Sequence, residues 1–560
     1  MDKIDHTTIG RVVSAIALFL ILVSGSAQTE PTVFWIQFTD KDATPYSITQ
    51  PEVFLSARAI QRRVNQGVVI TEQDLPVDPV YIATVLAQGD IELLNRSKWF
   101  NAITIRTTDQ NALNAVLALP FVQAYEATKA LIGSPVDDKF RVPTTVLSIE
   151  RGGDQADYGP SWTQISMMNG QALHLIEAKG QGMLIGVLDS GFDQADSLPA
   201  FQDLFARNGV IMTRDMVDHD GDVYNDHWHG RSVLSCMVGH LPEQLKGTAP
   251  EADYVLIRTE DVDSEARVEE DNWIAGVELA DSMGCDVINT SLGYTTFDDS
   301  LTNHTYAELD GMTIRISIAA GIASQLGMIP VQSAGNSGQS DWYYISAPAD
   351  AIDILTVGAV GDVGNSAPFS SRGPSADGRV KPDVCAMGWG AIGLRYEGDS
   401  IAPINGTSFS SPILAGLVAC LWQLHPERTG HDIMDAVRRS ASLFMDPNDS
   451  LGYGIPNFGS AHDHLSMTTQ IIENGSSSFG AFPMPFNDRL TIQLTDAPQG
   501  PVQVHLFDAT GRMAWSAIVP FAGGKALLNF GGTTSLGEGA YVLRIISNDQ
   551  VVSRVVVVAR

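Results

Sequence analysis

Between residues 33 and 126 the chain alternates short apolar runs with amphipathic ones. Phe34-Trp35-Ile36-Gln37-Phe38 and Ile91-Glu92-Leu93-Leu94 have the composition of strands, and Asn101-Ala102-Ile103-Thr104-Ile105-Arg106 adds clean apolar–polar alternation. Residues 55–64, which include Arg58, Arg62 and Arg63, and residues 77–88 carry helical spacing. Asp109 caps a further helix running to Leu119, and Phe121-Val122-Gln123-Ala124-Tyr125 closes the unit as a short strand. With residues 41–76 set aside as an insertion, the order is β-α-β-β-α-β, the split βαβ arrangement.

From residue 160 to about 465 the pattern changes to apolar strands alternating with helices. Met183-Leu184-Ile185-Gly186-Val187-Leu188 is continuously apolar, and Tyr254-Val255-Leu256-Ile257, Val287-Ile288-Asn289, Met328-Ile329-Pro330-Val331-Gln332 and Ile354-Leu355-Thr356-Val357 follow suit. A strand apolar on both faces must be covered on both faces, which predicts an α/β fold with a doubly wound, mainly parallel sheet. Polar, loop-forming residues stand at the strand ends, where such sheets place their sites. A Gly/Ser tract at 474–480 separates this region from short alternating segments at 490–494, 502–506, 513–518, 525–530, 541–546 and 551–558. Turn signals lie between them, at Asp508-Ala509-Thr510-Gly511 and Ser547-Asn548-Asp549-Gln550, and predict a small all-β sandwich of about 80 residues.

A chain of 560 residues implies about two to four such units. The net charge of −31 argues against nucleic acid or an anionic membrane as partner. Behind Lys3 and Arg11 lies the apolar run 12–23, ending in Gly25-Ser26-Ala27, so residues 1–27 read as a signal peptide cleaved after Ala27 and the protein as exported. Asp2 and Asp5 make the basic start of that segment poor. No later stretch looks long and apolar enough to span a bilayer. Cys236, Cys285, Cys385 and Cys420 show no metal-ligand spacing and read as small buried hydrophobes, with room for one disulfide.

The chemistry centres on Asn405-Gly406-Thr407-Ser408-Phe409-Ser410-Ser411-Pro412, ahead of the small-residue helical run 413–420. Ser408 is expected at a helix N-terminus, where free N–H groups and the dipole favour developing negative charge. Pro412 fits near the first turn of that helix. Asp189 ends the first apolar strand, and His229 opens a predicted helix with His227 two positions before it. Acyl transfer by serine needs an attacking alcohol, an imidazole to take its proton and a carboxylate to orient the imidazole. Asp189, His229 and Ser408 supply these roles in an order that fits a parallel α/β scaffold. Asn336, in Gln332-Ser333-Ala334-Gly335-Asn336-Ser337-Gly338 directly after a strand, is placed to donate its amide to an oxyanion beside the Ser408 N–H. No cofactor is required for this chemistry, and His229 must be neutral to act, so activity is expected to fall at acid pH.

Asp189-Ser190-Gly191, His229-Gly230, Asn289-Thr290-Ser291-Leu292-Gly293, Ser333-Ala334-Gly335-Asn336, Phe369-Ser370-Ser371-Arg372-Gly373-Pro374, Lys381-Pro382-Asp383 and Gly406-Thr407-Ser408 together resemble the subtilisin-like serine proteases (subtilases, peptidase family S8). The resemblance implies a secreted serine endopeptidase in which Ser291, Leu292 and Gly293 pair with the substrate backbone. It also implies that Ser333, Ala334 and Gly335 wall the pocket for the residue before the cut. Arg231 stands where the family usually has Thr, and Phe409-Ser410-Ser411 replaces Met-Ala-Ala; Arg231 is expected to reach acidic neighbours or the substrate. The runs 260–265 and 269–271 read as an exposed acidic face, with a structural calcium site as the alternative.

The expected organisation is a signal peptide (1–27), an inhibitor-like propeptide (31–130), a protease-sensitive linker (131–159), a catalytic domain (160–465), a second linker (466–480) and a C-terminal β-sandwich (481–560). The propeptide would act as an intramolecular inhibitor. The sandwich, entered through Phe482-Pro483-Met484-Pro485-Phe486-Asn487 and carrying Gly539-Ala540-Tyr541-Val542-Leu543-Arg544, resembles a type IX secretion sorting domain, with Met484 where Asn is usual. That resemblance implies a Bacteroidetes-type cell, type IX secretion machinery as a partner, and release or attachment at the surface. A generic binding sandwich is the alternative for this unit. For the whole chain, a binding protein on an inactive scaffold and an esterase are the competing classes. An ester needs no backbone ladder, which favours a peptide substrate.

Overall fold

The structure is a computed structural model that describes residues 31–130, 140, 157–395, 398, 400–469, 479–482, 486–487, 489–494, 501–508, 513–520, 525–529, 536–537, 539–547 and 550–558. The expected signal peptide, nearly all of both linkers and Met484 lie outside the described residues.

The N-terminal unit is a four-stranded antiparallel sheet in the spatial order Glu92–Ser97, Ala102–Arg106, Pro31–Phe38, Val122–Ala130. Helices Pro79–Leu86 and Gln110–Leu117 cover one face, and Asp109 caps the second by accepting from Asn111 and Ala112. Phe34, Ile36, Phe38, Ile103 and Ile105 turn to this side and meet Val85 and Val116. The opposite face packs on helix Val268–Met283 of the following domain, where Asn95 bonds Asn272 at 2.6 Å and Thr104 donates to Asp271 at 3.2 Å. A sheet covered by its own helices on one side and by a neighbour on the other needs apolar and polar residues arranged as these strands have them.

The insertion carries its own helix, Ala57–Gln66, capped by the Ser56 side chain and ended by Gly67 with φ 67°. Two of its arginines, Arg62 and Arg63, are buried, whereas Arg58 is exposed. Arg62 and Arg63 both pair with Asp281, Arg63 also reaches Asp74 at 2.8 Å, and Lys98 Nζ lies 2.8 Å from Asp281. Glu278, one turn before Asp281, accepts from Ser97 Oγ and the Lys98 amide at 2.6 Å and from the Trp99 amide at 3.1 Å.

The α/β domain is built on a seven-stranded parallel sheet. Its order is Val384–Met387, Leu355–Val360, Ile329–Ser333, Val287–Thr290, Leu184–Asp189, Asp253–Arg258, Val210–Asp215. Ile185 and Val187 point into one core with helices His229–Val238 and Thr407–Leu424, whereas Leu184 and Leu188 point into the other with Val268–Met283 and Arg315–Gln325. The chain order reverses beside the central strand, and the carboxyl ends of Leu184–Asp189, Val287–Thr290 and Ile329–Ser333 open at that switch point.

The C-terminal unit consists of a three-stranded and a four-stranded antiparallel sheet, with Leu490, Ile492, Val504, Leu506, Leu543 and Ile545 in its core. It includes one strand, Phe479–Phe482, that the alternation does not reveal. All four cysteines are buried and unbridged; burial raises the Cys236 and Cys385 thiols to about 12.

Two expectations require correction. Helix Thr407–Leu424 does have the length and composition of a membrane span, with mean hydropathy 1.3, but 89% of it is buried as the central core helix. The acidic runs are only in part an exposed face: Asp263 is exposed and Asp261 and Glu265 are half-buried, but Glu260, Glu269, Glu270 and Asp271 are buried. Glu269 accepts the Asp261 and Ala266 amides at 2.9 and 3.0 Å, Glu270 meets His304 at 2.5 Å, and Asp271 meets Arg315 at 3.0 Å. A buried carboxylate is retained where such donors replace its water. Among the described residues no group of three or more His, Cys, Asp or Glu side chains is placed to hold a metal ion.

Burial pushes Glu278 up to about 7 and Asp271 up to about 6, both beyond the ordinary carboxylate range. Asp281, surrounded by Lys98, Arg62 and Arg63, is held far below its usual value, so it stays ionised above pH 5 and contributes no slope there. Separation of the N-terminal unit returns Glu278 and Asp271 to water and to ordinary acidity. The docked state therefore holds protons that the separated state loses between about pH 5 and 7, and docking weakens as pH rises through that window. Retention of the cleaved N-terminal unit on gel filtration is expected to be greater at pH 5.5 than at pH 7.5, with the difference reduced in Glu278→Gln.

Candidate active site

Asp189 is the last residue of strand Leu184–Asp189, next to the central strand, and is fully buried. Its Oδ1 accepts His229 Nδ1 at 2.7 Å, the Ser190 amide at 2.8 Å and Ser190 Oγ at 3.2 Å. His229 is the first residue of helix His229–Val238, so its ring stands over the strand end while the helix descends into the core. Gly230 permits this approach: a Cβ there would lie 2.3 Å from the Gly191 carbonyl oxygen and 2.8 Å from Asp189 Cβ. The neighbouring His227 Nδ1 sits 2.9 Å from Ser190 Oγ rather than on Asp189.

Strand Ile401–Asn405 leads into Gly406, whose φ of 147° only glycine adopts readily, and the helix begins at Thr407. Ser408 is its second residue, 8% exposed. Pro412 lies farther inside the helix than its sequence suggested, four residues past Ser408, so it removes the N–H that would bond the Ser408 carbonyl. That carbonyl accepts Ser291 Oγ at 2.8 Å instead, and Ser408 Oγ donates back to the Ser291 carbonyl at 3.3 Å. Among the described residues no hydrogen bond joins Ser408 to His229.

Asn336 follows strand Ile329–Ser333. Its Oδ1 accepts the Thr407 amide at 2.9 Å and Thr407 Oγ1 at 3.0 Å, which fixes the side chain and turns the NH2 group to the remaining side. Thr407, which the sequence marks only as a cap-type residue directly before Ser408, also accepts the Gly335 amide at 3.1 Å.

These groups surround a cavity of about 220 Å³ lined by Ser291, Leu292, Gly293, Ser333 and Gly335 beside His229, Asn336 and Ser408. Ala334 is not in that lining; its backbone N–H bonds Val357 and its methyl group is buried in the core, because alternate residues of an extended chain face opposite ways. Arg231 does not reach the cavity either. It is buried, donating to the Asp193 and Arg395 carbonyls at 2.9 and 2.8 Å and to the Asp193 carboxylate at 3.1 Å, and so ties two loops together. Phe140 does line the cavity, with ring centroids 4.6 Å from His227 and 4.7 Å from His229; no local pattern marked it.

Comparison with known proteins bears on this arrangement. Residues 180–457 match the subtilase family (Peptidase S8), and residues 33–140 match the family described as Peptidase S8 propeptide domain, Bacteroidota. The chain carries a subtilase domain. Similar proteins include the Serine protease AprX of Bacillus subtilis (strain 168), 27% identical over 51% of this chain and 66% of that protein. The Thermostable alkaline protease of Halalkalibacterium halodurans is 26% identical over 63% of this chain and 86% of its own length. Subtilisin BL of Lederbergia lenta is 27% identical over 52% and 95% respectively. The chain thus spans just under two thirds of the first of these relatives. All are serine peptidases of the subtilisin type or alkaline proteases by name, and the matched propeptide segment ends at the residue that packs on His229.

The exchange at Pro412 makes the Ser291–Ser408 link testable. In a Ser408→Ala background, Ser291→Ala is expected to lower unfolding free energy by about 1–3 kcal/mol, because it strands a buried carbonyl. Pro412→Ala restores an N–H for the same carbonyl, so the Ser291→Ala cost in that background falls by at least about 0.5 kcal/mol in a denaturant double-mutant cycle.

Proposed function

We propose that the protein is a secreted, self-processing serine endopeptidase. The observation that carries this reading is the meeting of the Asp189–His229 pair with Ser408 and Asn336 around one cavity at the carboxyl ends of the strands. Ser408 Oγ attacks the scissile carbonyl carbon and passes its proton to His229, while Asp189 holds the imidazole tautomer and balances its charge. The tetrahedral oxyanion is stabilised by the Asn336 amide and the Ser408 N–H at the helix N-terminus. As the C–N bond breaks, His229 returns the proton to the leaving amine. Water then attacks the acyl-enzyme with His229 again as base. Ser291, Leu292 and Gly293 hold the substrate backbone, and Ser333 and Gly335 border the side chain before the cut.

The domain boundaries given above are part of the proposal, with one adjustment: the propeptide extends to about Phe140, and processing falls in the linker beyond it. Export through residues 1–27 and a role for the C-terminal sandwich as a type IX sorting domain belong to the same proposal, in keeping with a propeptide match to a Bacteroidota family.

Purified wild type is expected to lose the residues before about 160 while Ser408→Ala retains them, as read by mass and N-terminal sequence. Asn336→Leu is expected to lower kcat on a peptide substrate by about 10²–10³ with little change in KM. If neither wild type nor variant matures and wild type cleaves no peptide, a binding role on this scaffold replaces the proposal.

A further inference from the structure

Resting on the peptidase reading, the cavity also carries information about which peptides enter it. Apart from His229, the ionisable side chains in its lining are Glu260 and Glu265, and neither Lys nor Arg is among its described lining residues. Glu260 is only 2% exposed and accepts the phenol of Tyr294, the residue directly after Gly293. Burial first, and the Glu260 charge second, keep that phenol's proton well above its ordinary range, so Tyr294 remains a donor. Ser291 marks the other end of this segment by its two bonds to Ser408. From Ser291 to Tyr294 an extended chain spans at most about 10 Å. A substrate lying along Ser291–Gly293 with its scissile bond at Ser408 therefore brings a residue a few positions upstream to Glu260.

A second contact sets a lysine on the same loop, at Asp261 and Ser264, just outside the cavity lining. Lys129, near the end of the N-terminal unit's last strand, donates to Asp261 at 2.7 Å and to Ser264 at 2.8 Å. Glu269 holds the same loop from behind through the Asp261 and Ala266 amides. The N-terminal unit thus sets a lysine on the loop between Glu260 and Glu265, and removal of that unit takes the ammonium away. We infer that Glu260 and Glu265 form an acidic subsite on the acyl side of the cut, and that the protease selects peptides with Lys or Arg a few residues before the scissile bond. The chain's net charge of −31 adds long-range attraction for such substrates.

The test uses matured full-chain enzyme and quenched peptides that differ only in Lys, Leu or Glu at the second, third or fourth residue before the cut. At one of these positions wild type is expected to favour Lys over Leu by at least about tenfold in kcat/KM, the scale of one close charge pair. The preference should shrink with added salt and fall toward one in Glu265→Gln and Glu260→Gln. Should Glu260→Gln fail to fold through loss of its Tyr294 bond, the less buried Glu265→Gln decides. Equal cleavage of Lys, Leu and Glu peptides by wild type would overturn the inference and leave the peptidase reading intact. A Lys preference unchanged in the variants would also overturn it. Cleavage of none of the peptides would instead count against the peptidase reading.

Discussion

The N-terminus of helix Thr407–Leu424 is held by side-chain bonds to two neighbouring strand ends, and the site's geometry depends on that attachment. Ser291 Oγ takes the carbonyl that Pro412 leaves vacant, Ser411 Oγ donates to Asn289 at 2.9 Å, and Asn336 accepts from Thr407 twice. A helix this apolar packs well in many rotations, since hydrophobic burial has no direction. Directional bonds at one end select the rotation in which Ser408 faces the cavity.

The same logic operates on the far face of the sheet with charge in place of neutral bonds. Helix Val268–Met283 presents Asp271, Glu278 and Asp281, each buried under the N-terminal unit and each supplied with donors from it. Buried ion pairs contribute little net stability but cost several kcal/mol when one partner is withdrawn. Removal of the N-terminal unit withdraws Arg62, Arg63 and Lys98 at once, yet the face that remains can hydrate, because it becomes surface. A partner that was to leave would therefore be better matched by carboxylates than by apolar side chains, which would stay exposed once it had gone. The loop at 260–265 repeats this pattern, where Asp261 pairs with Lys129 of the N-terminal unit.

Some features were legible because they are local. Continuous apolar runs at 183–188, 254–257 and 287–289 announced a sheet covered on both sides, and Asp109 announced the helix it caps. Other features were misread for the same reason. Glu269, Glu270 and Asp271 look like a solvated run because their donors come from the loop at 261–266, from His304 and from Arg315. The run 407–424 was denied the length and composition of a span that it does have, and only the sheet that buries it shows why so apolar a helix forms there.

The sequence by itself determined the α/β class and the chemical identities of the candidate residues, because strand periodicity and acyl-transfer roles are written in single segments. Only the tertiary structure decided which of those residues meet. It put Ser333 and Gly335 on the cavity but Ala334 in the core, sent Arg231 to Asp193 and Arg395, and laid Phe140 against His229. Each of these outcomes depends on contacts or facings that strand periodicity does not encode. Asp189 and Ser408 stand 219 positions apart in the chain, and no local pattern brings such residues together. Parallel strand pairing and two-sided burial do, by delivering the strand ends to one edge of the sheet.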